Sequence, residues 1–455
     1  MKLFKKICFL GCMLILLGQP IYGKTLESMS VKNVTLIPLR TVSEYLNVQV
    51  QFDKGSQQLT VLNEGKEIVL TLGSAEAYVN GEVQTLEVAP RMVNGVTYVP
   101  LRFIGEALGA VVNFQQGKVS IELGELKQEW TLKQATAPSN AFKSETKTVL
   151  GKKVTCITID MQSGQVVPSI QLANNQINQV AELKTLGQKS EAAINGTYFA
   201  AYNGDVPYPD GTLVKDGQPI HITDIGCTVG FTSDNQVLID FVKTRVQGYV
   251  NEEPRWVTYR MNRPTKDASA TVIYTPEYGS IVQLEPGYIG IVCSKGQVVK
   301  HVIGSATIPA DGFVLVMQGG RTDGFNLGDK VRYEVTFEPR HTSQEDWKQV
   351  EQALSAGPSL LIRGEKTPLP KEEGFTEAKI LTQVASRSFI GITKDQKVMI
   401  GTTTASINEM KEMMKVLGLE SAMCLDGGAS SGLYYKGQYR TNPGRKISNS
   451  IVFKI

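Results

Sequence analysis

The run from Ala422 to Tyr435 constrains this chain more than any other stretch of its 455 residues. Ala422-Met423-Cys424-Leu425 is apolar and stops at Asp426. Gly427-Gly428-Ala429-Ser430-Ser431 follows, and an apolar-aromatic run opens at Gly432-Leu433-Tyr434-Tyr435. The pattern predicts strand, tight turn, strand. Glycines there remove side-chain bulk and permit positive φ, so a ligand can approach the backbone. N–H groups and hydroxyls in such a turn can hold an anion, with Asp426 beside it to take or give a proton. Asp-Gly is also the ordinary dipeptide of a polar hairpin, so the turn alone does not establish a site.

A second site strengthens the reading. Ser406-Ile407-Asn408-Glu409 is a capping-box pattern, and Ile407, Met410, Met413, Met414 and Leu417 follow at helical spacing up to Gly418. Asp426 comes eight residues after Gly418. Ile177, Val180, Ala181 and Leu186 form another helical stripe, ended by Gly187, and Asn195 comes eight residues later. Two helix-Gly-strand units thus end in Asn-Gly and Asp-Gly. This places Asn195 and Asp426 at neighbouring strand ends, although both dipeptides are common enough to coincide by chance.

At this point a family resemblance becomes specific. The segments in order are Ala193-Ile194-Asn195-Gly196-Thr197-Tyr198-Phe199; Asn262-Arg263-Pro264 with Tyr274-Thr275-Pro276-Glu277-Tyr278-Gly279; Ala356-Gly357-Pro358-Ser359-Leu360-Leu361; Ser386-Arg387-Ser388-Phe389-Ile390-Gly391-Ile392; Leu425 to Ser431; and Arg445-Lys446-Ile447-Ser448-Asn449-Ser450-Ile451. Residues from about 150 to 455 resemble the phosphodiester glycosidase family in these six segments. Three departures stand out. Ala429 occupies the place of a third glycine, Ser388 that of a threonine after the arginine, and Ile400-Gly401-Thr402-Thr403-Thr404 lacks the family's Asp-Gly-Arg. The last departure bears on substrate identity and turnover.

The resemblance implies hydrolysis of a sugar-1-phosphodiester with release of the sugar. Such a reaction needs donors for the phosphate, stabilisation of an oxocarbenium-like sugar, and a base or nucleophile. Arg387 is the expected phosphate ligand, because a guanidinium binds two oxygens at once. Asp426 is the expected base or nucleophile, and Asn195 is expected to hold sugar hydroxyls or orient Asp426. The N–H groups of Gly427 and Gly428 and the hydroxyls of Ser430 and Ser431 assist in substrate binding. Arg263, Arg445 and His221 rank second. Asp205 and Asp210 lie in a Gly/Pro-rich segment, Tyr202 to Gly211, that reads as a lid or as solvated loop. No cofactor is expected. A divalent cation at Asp426 stays open, but no ligand spacing supports it, and only His221, His301 and His341 exist.

Composition excludes other classes. Residues 1–23 read as a secretory signal peptide, with Lys2, Lys5 and Lys6 before an apolar stretch from Ile7 to Leu17. A retained signal anchor is the alternative; Cys12 precedes most of the apolar stretch, against lipidation. The formal charge of +3 is carried by those three lysines, so the mature chain is neutral and offers no basic stripe for nucleic acid. The expected location is secreted or cell-surface, in a bacterium, with no stable membrane span after cleavage. Cys156, Cys227, Cys293 and Cys424 have no CxxC spacing and read as core residues first, with a disulfide open outside the cytoplasm.

Residues 26–124 contain a repeat. Thr35-Leu36-Ile37-Pro38-Leu39-Arg40 recurs as Thr97-Tyr98-Val99-Pro100-Leu101-Arg102, and Glu44, Leu46, Val50 and Phe52 recur at the same offset of 62. Each copy predicts a strand, a helix opened near proline and a hairpin, and Asn80-Gly81 predicts a turn between strands. This part resembles the copper amine oxidase N-terminal, or stalk, domain. No histidine cluster accompanies it, so no copper is expected. Arg40 and Arg102 are expected to bond local backbone or Glu44 and Glu106, and the role open to the unit is cell-wall attachment or spacing. Residues 125–148 read as a linker, and 149–455 as the phosphodiester glycosidase domain. The fold class expected is α+β: a mixed sheet with helices packed on it, preceded by a small α+β stalk domain. The rival functions are a non-catalytic cell-surface glycan-binding protein and an exopolysaccharide-associated envelope protein. Convergence of Asn195, Arg387 and Asp426 on one pocket discriminates between them and an enzyme.

Overall fold

The computed structural model describes residues 24–455 apart from 32–33, 54–55, 64, 94–95, 135–140, 164–165, 203–205, 224, 266, 268 and 368–369. The expected leader, Asp205 and part of the expected linker therefore lie outside the described residues. Two compact units are present, one within residues 1–135 and the other mainly Thr136–Ile455. No helix among the described residues is long and apolar enough to cross a membrane.

In the first unit the repeat is realised as a local two-fold. Strands Val34–Pro38 and Val96–Pro100, the two copies of one motif, pair antiparallel, and Ile37 faces its own counterpart Val99. Each runs directly into an eight-residue helix, Leu39–Leu46 or Leu101–Leu108, whose apolar face is buried. Asn80 and Gly81 both take positive φ in the expected turn between Glu76–Val79 and Glu82–Thr85. The two units divide inside the expected linker, but its extent needs correction. Leu126–Gln134 is a strand paired with Lys24–Val31 and Lys118–Leu123, and Phe142–Val149 is a strand paired with Lys152–Asp160. Their alternating polar residues reflect one exposed face, not irregular chain.

The second unit is dominated by antiparallel β-sheet, with few and short helices. A seven-stranded sheet runs Phe142–Val149, Lys152–Asp160, Lys397–Ala405, Ala385–Thr393, Leu419–Cys424, Ser359–Ile362, Glu365–Lys366. A five-stranded sheet runs Val167–Leu172, Asn449–Lys454, Ala192–Asn195, Leu433–Tyr435, Gln438–Thr441. The expected mixed sheet is thus replaced by antiparallel pairings throughout these two sheets. The unbroken apolar runs do mark strands buried on both faces. Met423 and Leu425 enter one core, while Ala422 and Cys424 enter the other, beneath helix Ile407–Val416. That helix carries the expected capping box at Ser406 and Glu409. The other expected helix is mostly absent: only Leu183–Leu186 is helical, and Ala181 bridges to Ile447 instead. Four residues of helix give the Ile177–Leu186 stripe no second turn to continue through. Cys156, Cys227, Cys293 and Cys424 are free and buried.

Candidate functional site

The Asp426 turn does not close a hairpin. Leu419–Cys424 belongs to the seven-stranded sheet, while Leu433–Tyr435 pairs with Ala192–Asn195 in the five-stranded one. The segment between them crosses from sheet to sheet, and it is pinned at each step. Leu425 N–H donates to Ser388 O (2.9 Å), Asp426 N–H to Gly196 O (2.9 Å), and Gly444 N–H to Ala429 O (2.7 Å). Gly427 sits where a Cβ would meet Ser386 O at 3.0 Å, and Gly428 has φ +61, so both positions favour glycine. Ala429 needs no such freedom: its φ is not positive.

Asn195 is 1% exposed and fully engaged. Its Nδ2 donates to Asp426 O (2.7 Å), and its Oδ1 accepts from Ser388 Oγ (2.6 Å) and Gly432 N–H (3.0 Å). It therefore holds the backbone of the crossover at both ends. The expected contact with sugar hydroxyls is corrected: those bonds leave its acceptor spent inside the protein. Arg387 is corrected in the same way. It is 5% exposed, and its Nε and Nη2 donate to Ala405 O (3.3 Å), Lys379 O (2.6 Å) and Gln383 O (2.9 Å). It clamps the segment carrying helix Ala378–Leu381 with these two nitrogens, so no bidentate fork is left for phosphate, while its Nη1 lies beside the Gly427 turn.

Asp426 is half-buried at the surface end of this clamp. Burial pushes its carboxyl up to about 7. Hydrogen bonds from Ser430 and Gly427 N–H, and the charges of Arg445 and Lys379, pull the other way. Gly428 and Ala429 beside it are exposed, and the Ser431 hydroxyl is buried without a partner. Arg445 and Lys379 both lie over the exposed Tyr202 ring, at 4.8 and 5.6 Å from its centroid, and Arg445 Nη2 donates to Tyr202 Oη (3.1 Å). The rim thus combines two cations, an aromatic face and open donors around one proton-exchanging carboxyl.

Other expected residues lie elsewhere. Arg263 pairs with Asp210 (2.9 Å) and donates to Pro209 O, tying down the segment after Tyr208. His221 is fully buried, its Nδ1 against Gly211 O (2.8 Å), and burial lowers its pKa to about 3. A neutral imidazole in that position is no acid for a surface reaction. Lys379, Tyr202 and Tyr198 were not legible as site residues. Tyr198 donates to Gly357 O, and burial, with Asp426 among its neighbours, raises its pKa well above the usual value. Only the position of Tyr198 inside the Asn195 segment could have signalled it. Among the described residues no three His, Cys, Asp or Glu side chains group as metal ligands.

Residues 287–454 match the phosphodiester glycosidase family. The match contains Arg387, the Asp426 segment and Arg445; Asn195 lies before it. Residues 18–123 match the copper amine oxidase N-terminal domain. A hypothetical protein from Synechocystis is similar in structure, with TM-score 0.62 and 16% identity over 94% of this chain and 95% of that one. An exported protein from Burkholderia pseudomallei follows, at TM-score 0.55 and 16% identity over 67% and 74%. The zebrafish N-acetylglucosamine-1-phosphodiester alpha-N-acetylglucosaminidase catalytic domain has TM-score 0.37 and 11% identity over 70% and 86%. A curated relative, a protease inhibitor of Brevibacillus choshinensis, is 30% identical over 110 residues, 23% of this chain, which spans a third of that protein's length.

Proposed function

We propose that the second unit hydrolyses a sugar-1-phosphodiester, with Asp426 as base or nucleophile. The observation that carries this is a carboxyl held at about 7 on a glycine turn, with Arg445 and Lys379 facing it. The two cations and the N–H groups of Gly428 and Ala429 receive the phosphate oxygens, and Tyr202 offers a face for the sugar. In the base role, the Asp426 carboxylate takes a proton from water as the water oxygen bonds to the anomeric carbon. The bond from that carbon to the phosphate oxygen breaks, and its electron pair leaves with the phosphomonoester. A phosphate leaving group lessens the need for a strong general acid. The family match supports a glycosidase of this kind, and the exported neighbour together with the first-unit match supports action outside the cytoplasm, on envelope or extracellular glycopolymers.

The test is hydrolysis by the full chain of UDP-N-acetylglucosamine and a panel of aryl sugar phosphodiesters, with calcium, magnesium or EDTA. Turnover should rise with pH through about 7, since kcat/KM follows the free base. Measurable saccharide binding at the Asp426 site without turnover across the panel would replace this reading with a glycan-binding one.

A further inference from the structure

The first unit contains a cavity that its resemblance to a stalk does not explain. It is a cleft, open to solvent, of about 500 Å³, within the range of about 300–1,000 Å³ typical of small-molecule sites. Its walls come from both copies of the repeat: Val34 and Thr35 from the first, Arg102, Phe103, Glu106 and Phe114 from the second, with Thr85 and Glu87 between them. The expectation that Arg102 bonds Glu106 or local backbone is not met. Its guanidinium instead lies 5.4 Å from the centroid of the Phe114 ring. Neither Glu87 nor Glu106 takes part in an ion pair among the described residues, though Arg102 and Glu106 are one helical turn apart.

The two copies differ at this place. At the offset of 62, Arg102, Glu106 and Phe114 have counterparts in Arg40, Glu44 and Phe52, but Phe103 stands where the first copy has Thr41. Of the two aromatics that line the cavity, Phe103 is therefore an addition to the second copy. Phe103 is half-buried and Phe114 is 37% exposed, so the fold gains less from either ring than from a core phenylalanine.

We infer that this cavity is a saccharide-binding site. Apolar ring faces match the C–H face of a pyranose. Two carboxylates accept from hydroxyl or amino groups, and a guanidinium donates to ring or carbonyl oxygens. One cation against two carboxylates favours neutral or amino sugars over uronic acids. The first unit then acts as a glycan anchor that holds the second unit near its polymer. This stands apart from the proposed hydrolysis, because the residues involved belong to a different unit.

The test is calorimetric titration of the full chain with chitotriose, glucosamine trimer, cellotriose and trigalacturonate. Binding of one or more of the first three, with trigalacturonate weaker, is expected. Phe114→Ala should weaken binding by about two- to tenfold, the scale of one lost aromatic contact. Glu106→Gln, on an exposed side chain that leaves packing intact, should weaken the glucosamine trimer more than cellotriose. Asp426→Asn should leave every titration unchanged. Failure of all three neutral or amino sugars to bind, equal binding by a folded Phe114→Ala chain, or loss of binding in Asp426→Asn would each overturn the inference. So would binding of a lysine-rich peptide in their place.

Discussion

Asp426→Asn separates the chemistry of the carboxylate from its effect on the fold. The carboxyl is held at about 7, against an ordinary 3.8. That difference corresponds to about 4 kcal/mol between protonation states, and solvent at the accessible part of the side chain reduces it to about 2 kcal/mol. The sign follows from proton binding. Between pH 3.8 and about 7 the folded chain holds more protons at this position than the unfolded chain, so stability falls as pH rises through that window. His221 works in the opposite direction: with its pKa lowered from 6.5 to about 3, it costs stability as pH falls between those values. The wild-type profile is flattened where the two overlap. Asparagine keeps the shape and can still accept from Ser430 and Gly427, but carries no charge. The variant should therefore be more stable than wild type by about 2 kcal/mol at pH 8.5 and equal to it near pH 3.5, with the His221 slope laid bare between. Urea unfolding of the full chain across a pH series measures this, and hydrogen exchange over residues 419–435 assigns the transition. Parallel wild-type and variant profiles, or a variant less stable at pH 8.5, would refute the buried-carboxyl argument. The same variant should lose turnover by at least about a hundredfold, the scale of an acid–base contribution.

Three other substitutions test the clamp and the rim. Asn195→Asp replaces the donor to Asp426 O with an acceptor in a buried position; thermal unfolding should show a loss of about 3 kcal/mol, the order of an unsatisfied buried group with charge. Arg387→Lys cannot reproduce three bonds to Ala405, Lys379 and Gln383, so it should cost about 1–3 kcal/mol and lower turnover through the displaced Lys379 segment, read by exchange over residues 376–384. Lys379→Ala with Arg445→Ala should raise KM for a phosphodiester about tenfold or more while the fold, followed by circular dichroism, is unchanged.

Much of the architecture was written in local patterns. The offset of 62 marks Ile37 and Val99 as equivalent, and the structure adds that their strands pair with these two residues opposite one another. The capping box at Ser406 and Glu409 was legible because it is a contact between residues three apart. The Ile177–Leu186 stripe misled for a related reason. Spacing records which residues face a core, but Ala181 reaches its core through a bridge to Ile447, a partner 266 residues away that no window contains. Likewise, an Asp-Gly turn between apolar runs looks the same whether the second strand returns to its own sheet or enters another.

That ambiguity explains how the site was half read. A crossover between two sheets needs buried polar residues to satisfy its backbone, and these stand out in sequence because a polar residue interrupts an apolar run. Asn195, which ends an apolar run, is of this kind; Arg387, between Ser386 and Ser388, is marked only by the family resemblance, which assigns both to substrate. Their bonds are to the backbone at Asp426 O, Gly432 N, Ala405 O, Lys379 O and Gln383 O, and to the Ser388 hydroxyl, all within the protein. The groups left facing outward, Lys379 and Tyr202, sit in polar segments where a lysine or a tyrosine carries no signal. Arg387 connects the two sets, since the carbonyl it holds belongs to Lys379 itself. A buried charge that fixes the backbone of an exposed charge is a positioning device, and it makes the clamp and the rim lose function together while only the clamp loses stability.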